Sequence, residues 1–309
     1  AAYSLGVFAL GMTIITIIAP FSSLGLSNAS VRYLPLWNVS SNEEKTSSYT
    51  LFTSIITLFL SVSFGIFLWF FQDLIIGYFS NDNDQKHFLS SILWMFLFLM
   101  VFKNLIDVLS QFLRGLKEVK RTTVYTIFIG LPVKVVLAVL FISMGFDLKG
   151  LVYAEIISSL IIFVLLVILV LRFIRLPKRL FHFNWLGREF KEYVGTLLLL
   201  SILAMLATSI DKVMLGNLSV SDLGIYYMAL TFTPFIPIVL ASVNTIFAPV
   251  ISQKWSEGKF DELRDLYQFF TKWTLLFSIP LIFFFAYFSN DLMFFCFILS
   301  FLLQTYINF

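Results

Sequence analysis

The sequence predicts an all-α polytopic membrane protein, and three observations carry that prediction. Of 309 residues, 59% are hydrophobic, 38 are Phe and only 13% are charged, against roughly 45–50% apolar and about 25% charged in soluble domains. Mean hydropathy is +0.93. Apolar windows of about 20 residues, long enough to cross a hydrocarbon core about 30 Å thick as a helix, recur along the chain. The basic residues fall in alternate connections, as the bias of Lys and Arg toward cytoplasmic loops requires. Segments of about ten residues with alternating hydrophobicity, the mark of a membrane β-barrel, do not occur. Backbone in lipid then satisfies its hydrogen bonds as helix.

In chain order, the windows place spans near residues 3–24, 48–71, 89–112, 122–144, 151–171, 194–217, 224–250 and 273–289, with 292–309 as an incomplete ninth. The first span is followed by a polar linker of about twenty residues. One side of the membrane receives Arg32, Lys45, Arg114, Lys117, Lys120, Arg121, Arg172, Arg175, Lys178, Arg179, Arg188, Lys191, Lys254, Lys259, Arg264 and Lys272, and the other only Lys86 and Lys149. A missed or invented span would scramble that asymmetry, so the basic loops are expected in the cytoplasm. The outer connections QDLIIGYFSNDNDQKHF, GFDLKG and GNLSVSDLG are short and mildly acidic. The chain opens AAYSLGVFAL without a Met or a charged leader and stops at LLQTYINF inside an apolar run. It is expected to be a fragment missing sequence at both ends.

The residue inventory narrows the chemistry. One Cys, Cys296, rules out a disulfide within the chain, and His87 and His182 add too little for a metal-ligand cluster. Neither His nor Cys catalysis is expected, nor a cofactor or metal, and the protein is not expected to be an enzyme.

Charges inside spans are therefore the informative residues, because each costs about 2.5–3.5 kcal/mol at a helix centre even on the lenient insertion scale. They are Lys103, Asp107, Lys134, Glu155, Asp211 and Lys212. Lys103 and Asp107 are spaced i, i+4, so an internal ion pair accounts for them as well as a function does. Glu155 and Asp211 lie toward the outer ends of their spans, where snorkelling or an interfacial cap is an equal alternative. Lys134, in TIFIGLPVKVVLAVLF, lies near mid-span with no acid within one turn and follows a Gly-Leu-Pro kink signal. It is expected in a polar, water-filled or substrate-filled environment rather than a structural pair. Pro234, Pro237 and Pro249 interrupt the span at 224–250. Prolines beside charge suggest helices bent around a cavity.

Internal order suggests two bundles. ALGMTIITIIAPFSSLGLSNASVRYLPLW and, about 220 residues later, ALTFTPFIPIVLASVNTIFAPVISQKW have the same arrangement of span and polar segment. The expected organisation is an N-terminal bundle at 1–171, a linker at 172–193 and a C-terminal bundle at 194–309. The linker, RFIRLPKRLFHFNWLGREFKEY, is basic and aromatic and is expected to lie as an amphipathic helix on anionic lipid. A nucleic-acid partner is not expected.

LGLSNASVRYLP, FLRGLKEVKRTTVY (112–125), DKVMLGNLSVSDLGIYYMA (211–229) and FAPVISQKWSEGKFDELRDLY (247–267) together resemble the polysaccharide-transporter branch of the multidrug/oligosaccharidyl-lipid/polysaccharide (MOP) flippase superfamily, which includes the O-antigen-type flippases. The resemblance implies a MATE-like fold, two helical bundles around a central cavity that opens alternately to either side, of which the chain holds about eight to nine helices. It implies translocation of a lipid-diphosphate-linked oligosaccharide, coupled to H+ or Na+ or uncoupled. Lys134 and Lys212 are the candidates for the diphosphate, since an ammonium is a compact charge whose attraction to phosphate grows in low dielectric. Asp211 would orient Lys212 or exchange a coupling proton. Lys103 and Asp107 complete the candidate set, with Arg32 meeting substrate at the cytoplasmic mouth.

Three other functions share parts of this pattern. A cation-coupled drug or metabolite antiporter of the same superfamily would favour acidic residues in the first bundle over a central lysine. A membrane-embedded glycosyltransferase or polymerase would need a large outer loop with catalytic carboxylates. A membrane scaffold would leave Lys134 without a reason.

Overall fold

The computed structural model describes residues 2–39, 43–79, 83–173, 187–237, 240 and 259–291. Within them the regular elements are helical: α1 Ala2–Ser23, α2 Leu26–Val39, α3 Glu43–Phe70, α4 Gln72–Phe79, α5 Asn83–Gly115, α6 Val119–Thr123, a π-helical turn Val124–Ile129, α7 Gly130–Ser143, α8 Asp147–Leu171, α9 Arg188–Leu218, α10 Val220–Phe232, a 3-10 turn Thr233–Phe235 and α11 Phe260–Tyr287. Seven stretches are long and apolar enough to cross a membrane: Ala2–Ser23, Glu44–Phe70, Leu89–Gly115, Val119–Ser143, Lys149–Leu171, Arg188–Leu218 and Phe260–Tyr287. They follow the order of the predicted spans.

Two expectations change. The window at 224–250 does not run through as one helix. It holds the end of α10, the 3-10 turn and a bend at Ile236 and Pro237, because Pro234 and Pro237 lack the N–H a continuing helix needs and their rings crowd the preceding turn. Pro249, the ninth span at 292–309 and linker residues 174–186 lie outside the described residues. The polar segment after the first span is itself helical. It forms α2, set off from α1 by Leu24 and Gly25, whose φ values are 51° and 73°.

The chain divides into two compact units, residues 2–224 and residues 225–302. In the first, α5 is the central helix, packed on α1, α2, α3, α4 and α8, while α7 packs on α8 and α9 on α1. Its inner core gathers Leu26, Leu34, Tyr49, Phe112, Leu113 and Leu166 with Phe190. Thr46, Thr50, Thr53, Thr57 and Ser61 repeat at helical spacing on α3 and are all buried. Asn104 on α5 donates to Ser61 Oγ at 2.9 Å, the kind of polar contact that holds helices together where no hydrophobic drive exists between them.

Glycine sets how closely α1 approaches its neighbours. A Cβ added at Gly6 would lie 1.8 Å from the Val220 carbonyl oxygen, and one at Gly224 would lie 2.0 Å from that of Ala2. A Cβ at Gly25 would lie 2.8 Å from both the Leu198 nitrogen and the Val194 oxygen. Backbone meets backbone at these points, so no larger residue fits without moving a helix.

Candidate functional site

Three helices each bring one ionisable group to a single cluster. Glu155 of α8 is buried, with 1% of its side chain exposed. Its Oε1 lies 2.5 Å from Lys103 Nζ of α5, and its Oε2 lies 2.7 Å from Lys134 Nζ of α7. The lysines keep open surface, 32% and 46% of their side chains. Among the described residues, two ammoniums on one carboxylate leave one positive charge in surplus in this cluster. A structural bridge between helices needs only one lysine for one glutamate.

Local geometry explains each partner. α7 and α8 form a helical hairpin whose turn centres on Gly145 at φ 84°. Lys134 precedes that glycine by eleven residues and Glu155 follows it by ten, so the antiparallel helices bring the two side by side. The expected kink before Lys134 takes the form of the π-helical turn Val124–Ile129. Such turns widen the helix, and here one precedes Pro132, whose missing N–H would interrupt a regular ladder. Lys134, expected outside any pair, thus contacts Glu155, and Lys103 does not take the i, i+4 pairing with Asp107 that its spacing allows. Side chains lean toward the N-terminus of their helix, so Lys103 leans away from an acid four residues later and toward Glu155. The acid-before-base order is also the better one for an i, i+4 pair, and here it is reversed.

Asp107 is exposed and accepts hydrogen bonds from Ser27 of α2 and from Gln111. Lys103, Asp107, Gln111 and Arg114 recur at steps of four, four and three, so α5 presents a polar stripe roughly 16 Å long, at 1.5 Å per residue, beneath the lysine pair.

Asp211 and Lys212 each make a contact within α9. The Asp211 carboxylate accepts from the Lys212 backbone N–H at 2.8 Å, and the Lys212 ammonium donates to the Thr208 carbonyl. These contacts do not join Lys212 to the Lys134 cluster. Arg32 stacks its guanidinium 4.4 Å from the Tyr193 ring centre and 5.6 Å from that of Tyr33, with Glu189 at 3.9 Å. Burial raises the Tyr33 phenol pKa, against the lowering effect of Arg32 beside it. Arg32 thus ties α2 to the N-terminal end of α9. Glu155 and Tyr193 are the partners that residue-by-residue inspection of the sequence passed over. The near-equal spacing of Lys134 and Glu155 about Gly145, eleven and ten residues, is the available signal for the first.

The protein family described as "Polysaccharide biosynthesis protein" matches residues 2–299. No curated protein sequence matches significantly. Among solved structures, an inward-facing conformation of a multidrug resistance MATE family transporter of the MOP superfamily matches with TM-score 0.79 and 18% identity, over 94% of this chain and 68% of that one. An outward-facing conformation of such a transporter matches with TM-score 0.65 and 18% identity, over 92% and 64%. A MOP superfamily transporter from Pyrococcus furiosus, for which reverse polarity of the binding pocket was taken to suggest a different function, matches with TM-score 0.66 and 18% identity, over 93% and 65%. The chain spans about two thirds of the length of these structures, and identity at this level speaks for the fold alone. The chain belongs to the polysaccharide biosynthesis protein family, built on the membrane fold of the MOP superfamily transporters.

Proposed function

We propose that the protein flips a lipid-diphosphate-linked oligosaccharide across the cytoplasmic membrane by alternating access, for assembly of a surface polysaccharide. The observation that carries this is the surplus positive charge of the Lys103–Glu155–Lys134 cluster. An ionisable side chain inside a membrane span is costly and marks a ligand path or counter-ion site; a diphosphate supplies the anion that matches the surplus charge. The family description supports the sugar pathway. A cationic drug would meet repulsion at the same place, which weighs against the antiporter.

The functional bundles are residues 1–171 and 194–309, joined by 172–193, with the packing of α9 on α1 and α2 changing between states. Arg32 meets the substrate on the cytoplasmic side, and Asp107 and Gln111 offer hydrogen-bond partners to sugar hydroxyls. Lys212 is the second diphosphate contact. H+ or Na+ is the coupling ion if transport is coupled, with Asp211 the candidate carboxylate.

The test is Lys134→Ala in the full-length protein, with surface polysaccharide and membrane abundance measured in the same cells. Export should be lost at near-normal abundance, because Lys103 still pairs Glu155. Lys134→Arg should keep part of the activity, since charge persists while shape and hydration change. Normal export from an abundant Lys134→Ala protein would sink the diphosphate role and move it to Lys212. Sidedness has its own test. In a Cys296→Ala background, cysteines at Asp82 and Asp84 should react with an impermeant thiol reagent on intact cells, and cysteines at Lys117 and Gly258 only after permeabilisation.

A further inference from the structure

The cluster has more parts than a phosphate contact requires, and the extra parts have a geometry of their own. Each Glu155 oxygen serves one lysine, Oε1 for Lys103 and Oε2 for Lys134, so either lysine can leave without breaking the other contact. Lys134 is the more open of the two and has the longer contact. It is also carried by α7, which packs mainly on α8, whereas Lys103 is carried by α5, the helix with the most neighbours.

We propose that Glu155 is a placeholder anion for Lys134 in the empty site, and that Lys103 is the positioning residue that lets Lys134 go. This rests on the assignment of Lys134 to the diphosphate. When a phosphate or diphosphate group arrives, the Lys134 ammonium transfers from Oε2 to the phosphate oxygens, and Lys103 remains on Oε1. Without Lys103, that transfer would strand a buried carboxylate, a strongly unfavourable state, so Lys134 would stay locked to Glu155. Without Glu155 as well, Lys134 has no competing partner and binds again. Apparent affinity falls in proportion to the fraction of molecules in which the binding group is free. The pair Lys103 and Glu155 therefore sets how much of Lys134 is available to substrate, and the Glu155 carboxylate takes it back once the substrate has left.

Purified full-length variants titrated with inorganic pyrophosphate, followed by thermal stabilisation, test this alongside polysaccharide export in cells lacking the native copy. Lys103→Met should weaken apparent pyrophosphate affinity about tenfold and cut export. Lys103→Met/Glu155→Gln should restore affinity to within about threefold of the parent protein, because one free ammonium is again present. Lys103→Met/Gln111→Lys, which returns the charge two turns away on the same face but gives Glu155 no partner, should remain defective. Parent-like binding by Lys103→Met, failure of the Glu155→Gln rescue, or rescue by Gln111→Lys would each overturn the placeholder role. A different result sinks the underlying assignment: Lys134→Ala binding pyrophosphate as the parent protein does.

Discussion

Two regions of this protein place charge in a membrane helix, and they solve the problem differently. On α9, Asp211 accepts from a neighbouring N–H and Lys212 donates to the carbonyl one turn earlier, contacts that lie along one helix. In the Lys103–Glu155–Lys134 cluster the charges meet across three helices, and the books do not balance within it. Local satisfaction lets a charge exist in a span without demanding anything from the fold. Shared satisfaction makes the positions of α5, α7 and α8 depend on one carboxylate, and leaves an unmatched cation for something else to use.

The sharpest way to break the comparison is Glu155→Ala. It removes the anion from two partly buried ammoniums, and loss of one member of a buried ion cluster costs about 3–5 kcal/mol. Membrane abundance and the folded fraction in mild detergent should fall sharply. The triple variant Lys103→Met/Lys134→Met/Glu155→Leu should recover abundance with export still absent, separating what the cluster does for folding from what it does for transport. A smaller effect is expected for a neutral contact between helices. Asn104→Ala breaks the bond to Ser61 and should cost about 0.6 kcal/mol, up to about 1.7, measured by unfolding in detergent. The smallest belongs to α9: Lys212→Met should shift stability by no more than about 0.5 kcal/mol, since among the described residues its ammonium contact is to its own helix. If Lys212→Met unfolds the protein as Glu155→Ala does, the two regions are not different in kind.

Much of the fold could be anticipated because lipid permits few structures. Seven spans followed from length and hydropathy, which depend on each residue's own transfer energy. Where the chain differs, the cause is a contact or a turn. α2 is helical despite its polar sequence and follows a left-handed break at Leu24 and Gly25. α10 stops early at its prolines. The candidate site was half visible. Lys103, Lys134 and Asp107 stand out as charges in apolar surroundings, whereas the place of Glu155 near a span end fits snorkelling or a cap as well as a function. Its role depends on a neighbouring helix, and the i, i+4 spacing of Lys103 and Asp107 offered a nearer partner that side-chain direction disfavours. Placing Lys134 opposite Glu155 required folding the hairpin about Gly145 first.

The glycine contacts of α1 bear on how the protein is made. Gly6 meets Val220, and Gly224 meets Ala2, so α1 is fitted against backbone synthesised more than two hundred residues later. At roughly 5–20 residues per second, that partner arrives about 10–40 s after α1 does. During that interval the face of α1 around Gly6 stands in the bilayer beside lipid or the insertion machinery. Whatever covers it must then be displaced when α10 arrives. Larger residues at Gly6 would obstruct this late step without affecting insertion of α1 itself, so such variants should enter the membrane at a normal rate and be degraded afterwards.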